Sequence, residues 1–368
     1  MRVPYNYLPM QFSNYDAILA DWERLILSTE FTLGSYVEDF ENQFAEFISC
    51  KHVIGTNTGT DALILALKAL GIGPGDEVIS VPVTFYATIG AIVAVGARPV
   101  FVDIDDRYQM DPKLISGAIT AKTKAILPVH WGGVPPDMET ILQIAEEYKV
   151  KVVEDACMAP GGKINTKHSG TFGHVNAWSM HPLKPLNVMG DGGMVSTDDD
   201  ELANWMRKYR NHGMIDRDHN TIWGVNMRLQ PLQAIVASHI LKTVDETVQA
   251  RNINAQILDD GLRKLDPFVN IPPRPYGYLE TFSLYMARFQ KRDELVNHLI
   301  ESGIEAKIHY PVPLHLQIAA KDLGYKEGDF PMSEKYCNEV ITLPAHQYLR
   351  KDQLEYIIYT IGNFYKNL

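Results

Sequence analysis

The sequence predicts an α/β protein built on a mainly parallel sheet flanked by helices, with a smaller C-terminal α/β domain, and three observations predict it. Short runs rich in β-branched residues alternate with helical patterns through the first two thirds of the chain, the signature of repeated βαβ units. The 368 residues are 46% hydrophobic, enough for one large core and a second, smaller one. From about Lys242 the alternation gives way to a long helical segment and the proline-rich stretch IPPRPYGY, which reads as a domain junction. The expected division is a large domain over residues 1–241 and a smaller one over 242–368.

Seven runs are strand candidates in chain order: HVIGT, EVISVPV, PVFVDI, AILPVH, KVVED, AWSM and GMVST. Between them, TDALILALKALG repeats apolar residues at spacings of three and four and stops on Gly71, a residue suited to a left-handed helix end. DMETILQIAEEYKV opens on Asp137, whose side chain can cap the first turn. Further on come the helix TVDETVQARNINAQILDDGLRKL, the strand FSLYMARF, the helix RDELVNHLIESG, the segment IEAKIHYPVPLHLQ and a closing helix after Leu349. Ligands of open α/β sheets collect beyond the carboxyl ends of the strands, which selects Gly59, Phe85, His130, Asp155 and Lys184.

The bulk charge narrows the partners. A net charge of −11 with no basic stripe repels a phosphate backbone, so nucleic acid is not expected. The three cysteines, Cys50, Cys157 and Cys337, lie far apart with no CxxC pair, so neither a zinc site nor a redox motif is expected and the compartment reads as reducing. The opening MRVPYNYLPMQFSNYD lacks a signal-peptide core, and no stretch nears the ~18 to 20 apolar residues of a membrane span. The expectation is a cytoplasmic protein without a membrane partner.

Three stretches bear chemistry. GTNTGTDAL sets glycines and hydroxyls between a strand and a helix, where backbone N–H groups could cradle a phosphate; the same pattern also makes an ordinary tight turn. VVEDACMAPGG ends an apolar strand on Glu154 and Asp155, carboxylates that can cap a helix, pair with a cation, or bind a protonated ring nitrogen. AWSMHPLKPLNVMGDGGMVST then carries Ser179, His181 and Lys184 ahead of a glycine run. Phosphate cradle, strand-end acid and lysine, in that order, match the needs of pyridoxal phosphate (PLP): a phosphate site, an acid for the pyridine nitrogen and an amine for the aldehyde.

From here the pattern becomes a resemblance. GTNTGTDALILALKALGIGPGDEVI, VPVTFYAT, GARPVFVDID, VEDA, SMHPLK with GDGG, RNHG, GVNMRL followed by LQA, and IHYPVPLHLQ together resemble the DegT/DnrJ/EryC1/StrS family of PLP-dependent sugar aminotransferases, of aminotransferase fold type I. The likeness runs from about Val3 to the C-terminus, and it implies a seven-stranded, mainly parallel sheet. It also implies roles: Lys184 as the Schiff-base lysine, Asp155 as the acid on the pyridine nitrogen, and Gly59, Thr60 and Ser179 as phosphate binders. Phe85, with Tyr86 next in line, matches the aromatic residue that packs on the cofactor ring. Asn226 matches an asparagine reaching the cofactor phosphate of the neighbouring subunit, which implies a homodimer with shared active sites. His309, Tyr310 and His315 lie in a segment that relatives use near the sugar, whereas His181 reads as a packing neighbour.

The resemblance further implies transfer from L-glutamate to a nucleotide-linked keto-deoxysugar. HYPVPLHLQ looks more like relatives that aminate C3 than those that aminate C4. A 4-keto-sugar or cyclitol aminotransferase, or a regulatory protein that binds PLP without turnover, are the alternatives. Relatives that dehydrate a sugar at C3 replace the lysine by histidine; this chain keeps Lys184. It departs from the family at Met158 and Pro160, where many relatives carry glutamine and histidine, so the partner of the cofactor's ring hydroxyl is left open.

Overall fold

The β-branched runs assemble into one sheet. In a computed structural model, which describes residues 1–368, its strands are β1 (His52–Thr56), β2 (Glu77–Ser80), β3 (Arg98–Phe101), β4 (Thr123–Ile126), β5 (Lys151–Asp155), β6 (Val175–Ser179) and β7 (Gly193–Thr197). Their spatial order is β1-β7-β6-β5-β4-β2-β3. β2 pairs in parallel with β3 and β4, β4 with β5, and β5 with β6, while β7 runs antiparallel to both β6 and β1. The reversal has a local cause. Parallel neighbours need a crossover long enough for a helix, whereas β6 and β7 are joined by residues 180–192 with no helix between them, so the chain turns straight back. Lys184 sits in that connection.

Helices cover both faces, which is why β6 and β7 are buried at every residue and carry no polar alternation. Helix Gly59–Ala69 buries Leu63, Leu65, Ala66 and Leu67 and is capped by Thr58 Oγ1, which accepts from Asp61 N–H at 2.9 Å. Helix Met138–Tyr148 is capped by Asp137, which accepts from Thr140 N–H at 3.2 Å.

A second, antiparallel sheet follows: β8 (Val269–Asn270), β9 (Tyr285–Phe289) and β10 (Val340–Leu343), with β9 central. The N-terminal segment packs into the same core, since Val3 N–H donates to Gly303 O at 2.9 Å and Val3 is packed with Leu258, Leu262, Phe289 and Ile341. The junction expected at 241/242 falls in the turn between helices Pro231–Leu241 and Val244–Leu262. The latter helix spans two cores: Val244 and Val248 pack beneath the large sheet, Ala255, Leu258 and Leu262 in the C-terminal core. No helix is long and apolar enough to cross a membrane.

Candidate active site

The ends of β1, β5 and β6 meet at one place. Gly59 opens the first turn of its helix, where N–H groups have no intrahelical acceptor. A Cβ there would lie 2.7 Å from Ser179 Cβ, 3.0 Å from Ser179 Oγ and 3.3 Å from Cys157 Sγ, so only glycine lets the helix start approach β6 this closely. The exposed Thr60, the helix N-terminus with its partial positive charge, and the Ser179 hydroxyl thus form one cradle suited to an anion. Gly193 supports it from below: a Cβ on Gly193 would stand 2.3 Å from Thr58 O.

Glu154 and Asp155 part company because successive strand residues face opposite sides of the sheet. Glu154 is fully buried; its Oε1 accepts from Phe172 and Gly173 N–H at 2.6 and 2.7 Å, and its Oε2 meets Gly170 N–H and His130 Nε2, each at 2.8 Å. Both residues picked out beside Asp155 by sequence, Glu154 and His130, are therefore spent on one another. Asp155 is oriented instead by Thr88 Oγ1, which donates to Oδ2 at 2.7 Å, and by Cys157 N–H at 3.2 Å to Oδ1. Thr88 is itself 2.7 Å from Thr84 Oγ1, so a buried hydroxyl pair backs the carboxylate.

Lys184 is partly buried. Burial pushes its amine below the ordinary lysine value, while the neighbouring Cys157 and Asp155 pull it up. Cys157 lies among the cradle, the acid and the lysine; burial and Asp155 hold its thiol well above the usual range. His181 is exposed and its Nδ1 faces Pro182 O at 2.7 Å, away from such a role.

Around this centre stand aromatic rings. Phe85 is 51% exposed, which removes it from the core, and its ring centroid lies 5.6 Å from Tyr86 and 6.2 Å from Tyr310. Tyr310 also lies 5.7 Å from the buried Trp131. His309 has its pKa lowered to about 4 by burial, with the charges of Lys184 and Lys307 acting in the same direction, so its imidazole is neutral; Nδ1 meets Thr342 Oγ1 at 3.0 Å. His315 takes a different place. It is buried, with Nε2 3.0 Å from Glu334 Oε1 and its ring edge-on to Phe330, and makes no hydrogen bond with the other candidates. Asn226 is exposed and its Oδ1 accepts only from Arg228 N–H, at 3.3 Å. Its segment runs beside the cradle, because Asn57 N–H donates to Met227 O at 2.9 Å. At Met158 the carbonyl, not the thioether, is engaged, accepting from Thr281 Oγ1 at 2.7 Å and Ser283 Oγ at 2.5 Å.

Cys157, Thr88 and Tyr7, whose hydroxyl reaches Lys184 O at 3.1 Å, escaped the sequence reading. Cys157 could have been found, since it lies two positions past Asp155 at the same strand end. Thr88 and Tyr7 carry no signal of their own, because their partners are distant in the chain.

The DegT/DnrJ/EryC1/StrS aminotransferase family matches residues 14–362. A pleiotropic regulatory protein of Geobacillus stearothermophilus is 40% identical over 373 residues, which is 100% of each chain. The UDP-2-acetamido-2-deoxy-3-oxo-D-glucuronate aminotransferase of Pseudomonas aeruginosa is 36% identical, over 95% of this chain and 96% of its own. The crystal structure of S. venezuelae DesV in complex with a ketimine intermediate superposes with a TM-score of 0.95 at 36% identity, covering 99% of this chain and 98% of that one.

Proposed function

This chain belongs to the DegT/DnrJ/EryC1/StrS aminotransferase family and is a PLP-dependent aminotransferase, and from that premise we propose that it carries an amino group from L-glutamate to the C3 ketone of a nucleotide-linked keto-deoxysugar. The observation that carries the reading is the meeting of an anion cradle, a buried strand-end carboxylate and an amine held below its ordinary basicity. These residues fit PLP: a glycine with no room for a Cβ brings helix N–H groups to Ser179, and the two charged groups flank Cys157 between them. Gly59, Thr60 and Ser179 would hold the phosphate, Asp155 the ring nitrogen, Phe85 a ring face and Lys184 the aldehyde carbon. When bound, PLP supplies a cationic ring that draws off the negative charge developing at the donor carbon.

The protein's part is positioning and proton transfer. Asp155, fixed by Thr88 and the Cys157 N–H, would keep the ring nitrogen protonated through a charge-assisted hydrogen bond. With PLP bound, Lys184 Nζ, favoured in its neutral form by burial, would take the proton from the donor carbon and hand it to the cofactor, and would carry a proton the opposite way when the sugar accepts the amine. The neutral His309 and the Tyr310 hydroxyl offer hydrogen bonds to the sugar. The 3-oxo sugar of the Pseudomonas relative supports the choice of C3. Exposure of Asn226 beside the cradle supports a homodimer in which this side chain meets the neighbour's cofactor phosphate.

Mass spectrometry of products formed from glutamate and a panel of UDP-, dTDP- and GDP-linked 3-keto and 4-keto sugars tests the substrate. Amination of a 3-keto sugar is expected; amination of a 4-keto sugar instead moves the site of transfer, and no amination at all removes the sugar claim. A PLP-binding regulator without turnover, the reading favoured by the name of the Geobacillus relative, would keep its yellow colour when glutamate alone is added. In Lys184→Ala, borohydride should no longer fix the cofactor to the protein, and persistent labelling would assign that bond to another amine.

A further inference from the structure

We propose that Tyr7, backed by Arg251, is the residue that positions the Lys184 amine, a role that rests on the reading of Lys184 as the cofactor-bearing lysine. The lysine's backbone is held on both sides. Its N–H donates to His181 O at 3.1 Å, and its carbonyl accepts from Tyr7 Oη at 3.1 Å and Asn187 Nδ2 at 2.8 Å. Asn187 also donates to Gln11 Oε1 at 3.0 Å, so both acceptor sites of that carbonyl are tied to the N-terminal segment. Pro185 follows directly and adds no N–H of its own.

What holds Tyr7 in turn is unusual. Its ring is 3% exposed and lies 5.1 Å from the Arg251 guanidinium and 5.4 Å from the His346 ring. Arg251 is 1% exposed; it donates to Gln347 Oε1 at 3.0 Å and Phe282 O at 3.3 Å, forms no salt bridge, and leaves Nη2 without a hydrogen-bond partner. A guanidinium buried without a counter-ion is costly. The negative face of the Tyr7 ring is the attractive group beside it, and a cation–π contact is strongest where water is excluded. His346 adds no competing cation, because burial lowers its pKa to about 4.

Arg251 belongs to the helix Val244–Leu262, and Phe282 and Gln347 flank the second sheet. Tyr7 lies in the N-terminal segment and Lys184 in the β6–β7 connection. The contact therefore ties the C-terminal part of the molecule to the backbone carbonyl of Lys184 through the Tyr7 side chain, so that the position of Lys184 follows the packing of the C-terminal part.

Tyr7→Phe tests this on the PLP-loaded protein, since it removes Oη and keeps the ring over Arg251. The expected result is a kcat about tenfold lower, with KM for glutamate and the melting temperature nearly unchanged, because a small misplacement of a reacting group is enough to cost that much. Release of PLP during dialysis should be several-fold faster. Arg251→Met should act in the same direction, Arg251→Lys should restore part of the loss, and Tyr7→Phe with Arg251→Met should be no worse than the larger single change, because both act through one contact. If Arg251→Met does not fold, Tyr7→Phe decides. Wild-type kcat and wild-type PLP release in Tyr7→Phe, with borohydride still fixing the cofactor at Lys184, overturn the positioning role alone. Absence of borohydride labelling at Lys184 in the unaltered protein overturns the reading of the lysine as well.

Discussion

Glu154 and Asp155 are chemically alike and adjacent, yet strand alternation gives them opposite work. Glu154 is enclosed by three backbone N–H groups and His130, whereas Asp155 is held by a threonine hydroxyl at the cleft. Their amides should therefore separate stability from activity. Glu154→Gln turns a donor group toward donors in a buried site and should cost about 2 to 4 kcal/mol of stability in urea unfolding. Asp155→Asn should unfold near the wild-type midpoint but lose about a hundredfold or more in kcat, the usual scale for removing one preorganised electrostatic partner. Equal losses of stability in both variants would contradict this division.

At the scale of elements, the site depends on how closely β7 passes beneath the start of helix Gly59–Ala69. Gly193 allows that approach, since a side chain there would meet Thr58 O at 2.3 Å. Gly193→Ala should cost about 1 to 3 kcal/mol by overpacking. The same shift should weaken PLP retention, read by fluorescence titration, because Thr58 caps the turn that forms the cradle. Strand positions were legible from β-branched runs: HVIGT, KVVED and GMVST coincide with β1, β5 and β7. EVISVPV overshoots, ending in the structure at Ser80, because a run of apolar residues continues past the last ladder pairing into the loop before Phe85.

For the whole molecule, burial depresses three histidines, His168, His309 and His346, to a pKa of about 4 each. Their folded values lie below the unfolded value near 6.5, so between those limits the unfolded chain binds more protons and stability falls as pH falls. Stability should be level, as far as these groups go, above pH ~7, and decline on acidification by up to ~1.4 kcal/mol per pH unit for each histidine. Urea midpoints at pH 7.5 and 5 check this; an unchanged midpoint would mean that these side chains are solvated in the native state.

By itself the sequence determined the α/β class and the seven strand segments and singled out Gly59, Asp155 and Lys184 as candidates, because each is written in local patterns: period, turn chemistry and the residues just past a strand end. The tertiary structure decided which neighbour of a pair does what. It sent Glu154 to His130 and left Asp155 at the cleft, buried His315 against Glu334 and Phe330 while Phe85 stayed exposed, and brought Tyr7 and Arg251 to the back of Lys184. Those outcomes depend on contacts between residues far apart in the chain, where burial and the pairing of polar groups are set by packing and leave no trace in local spacing.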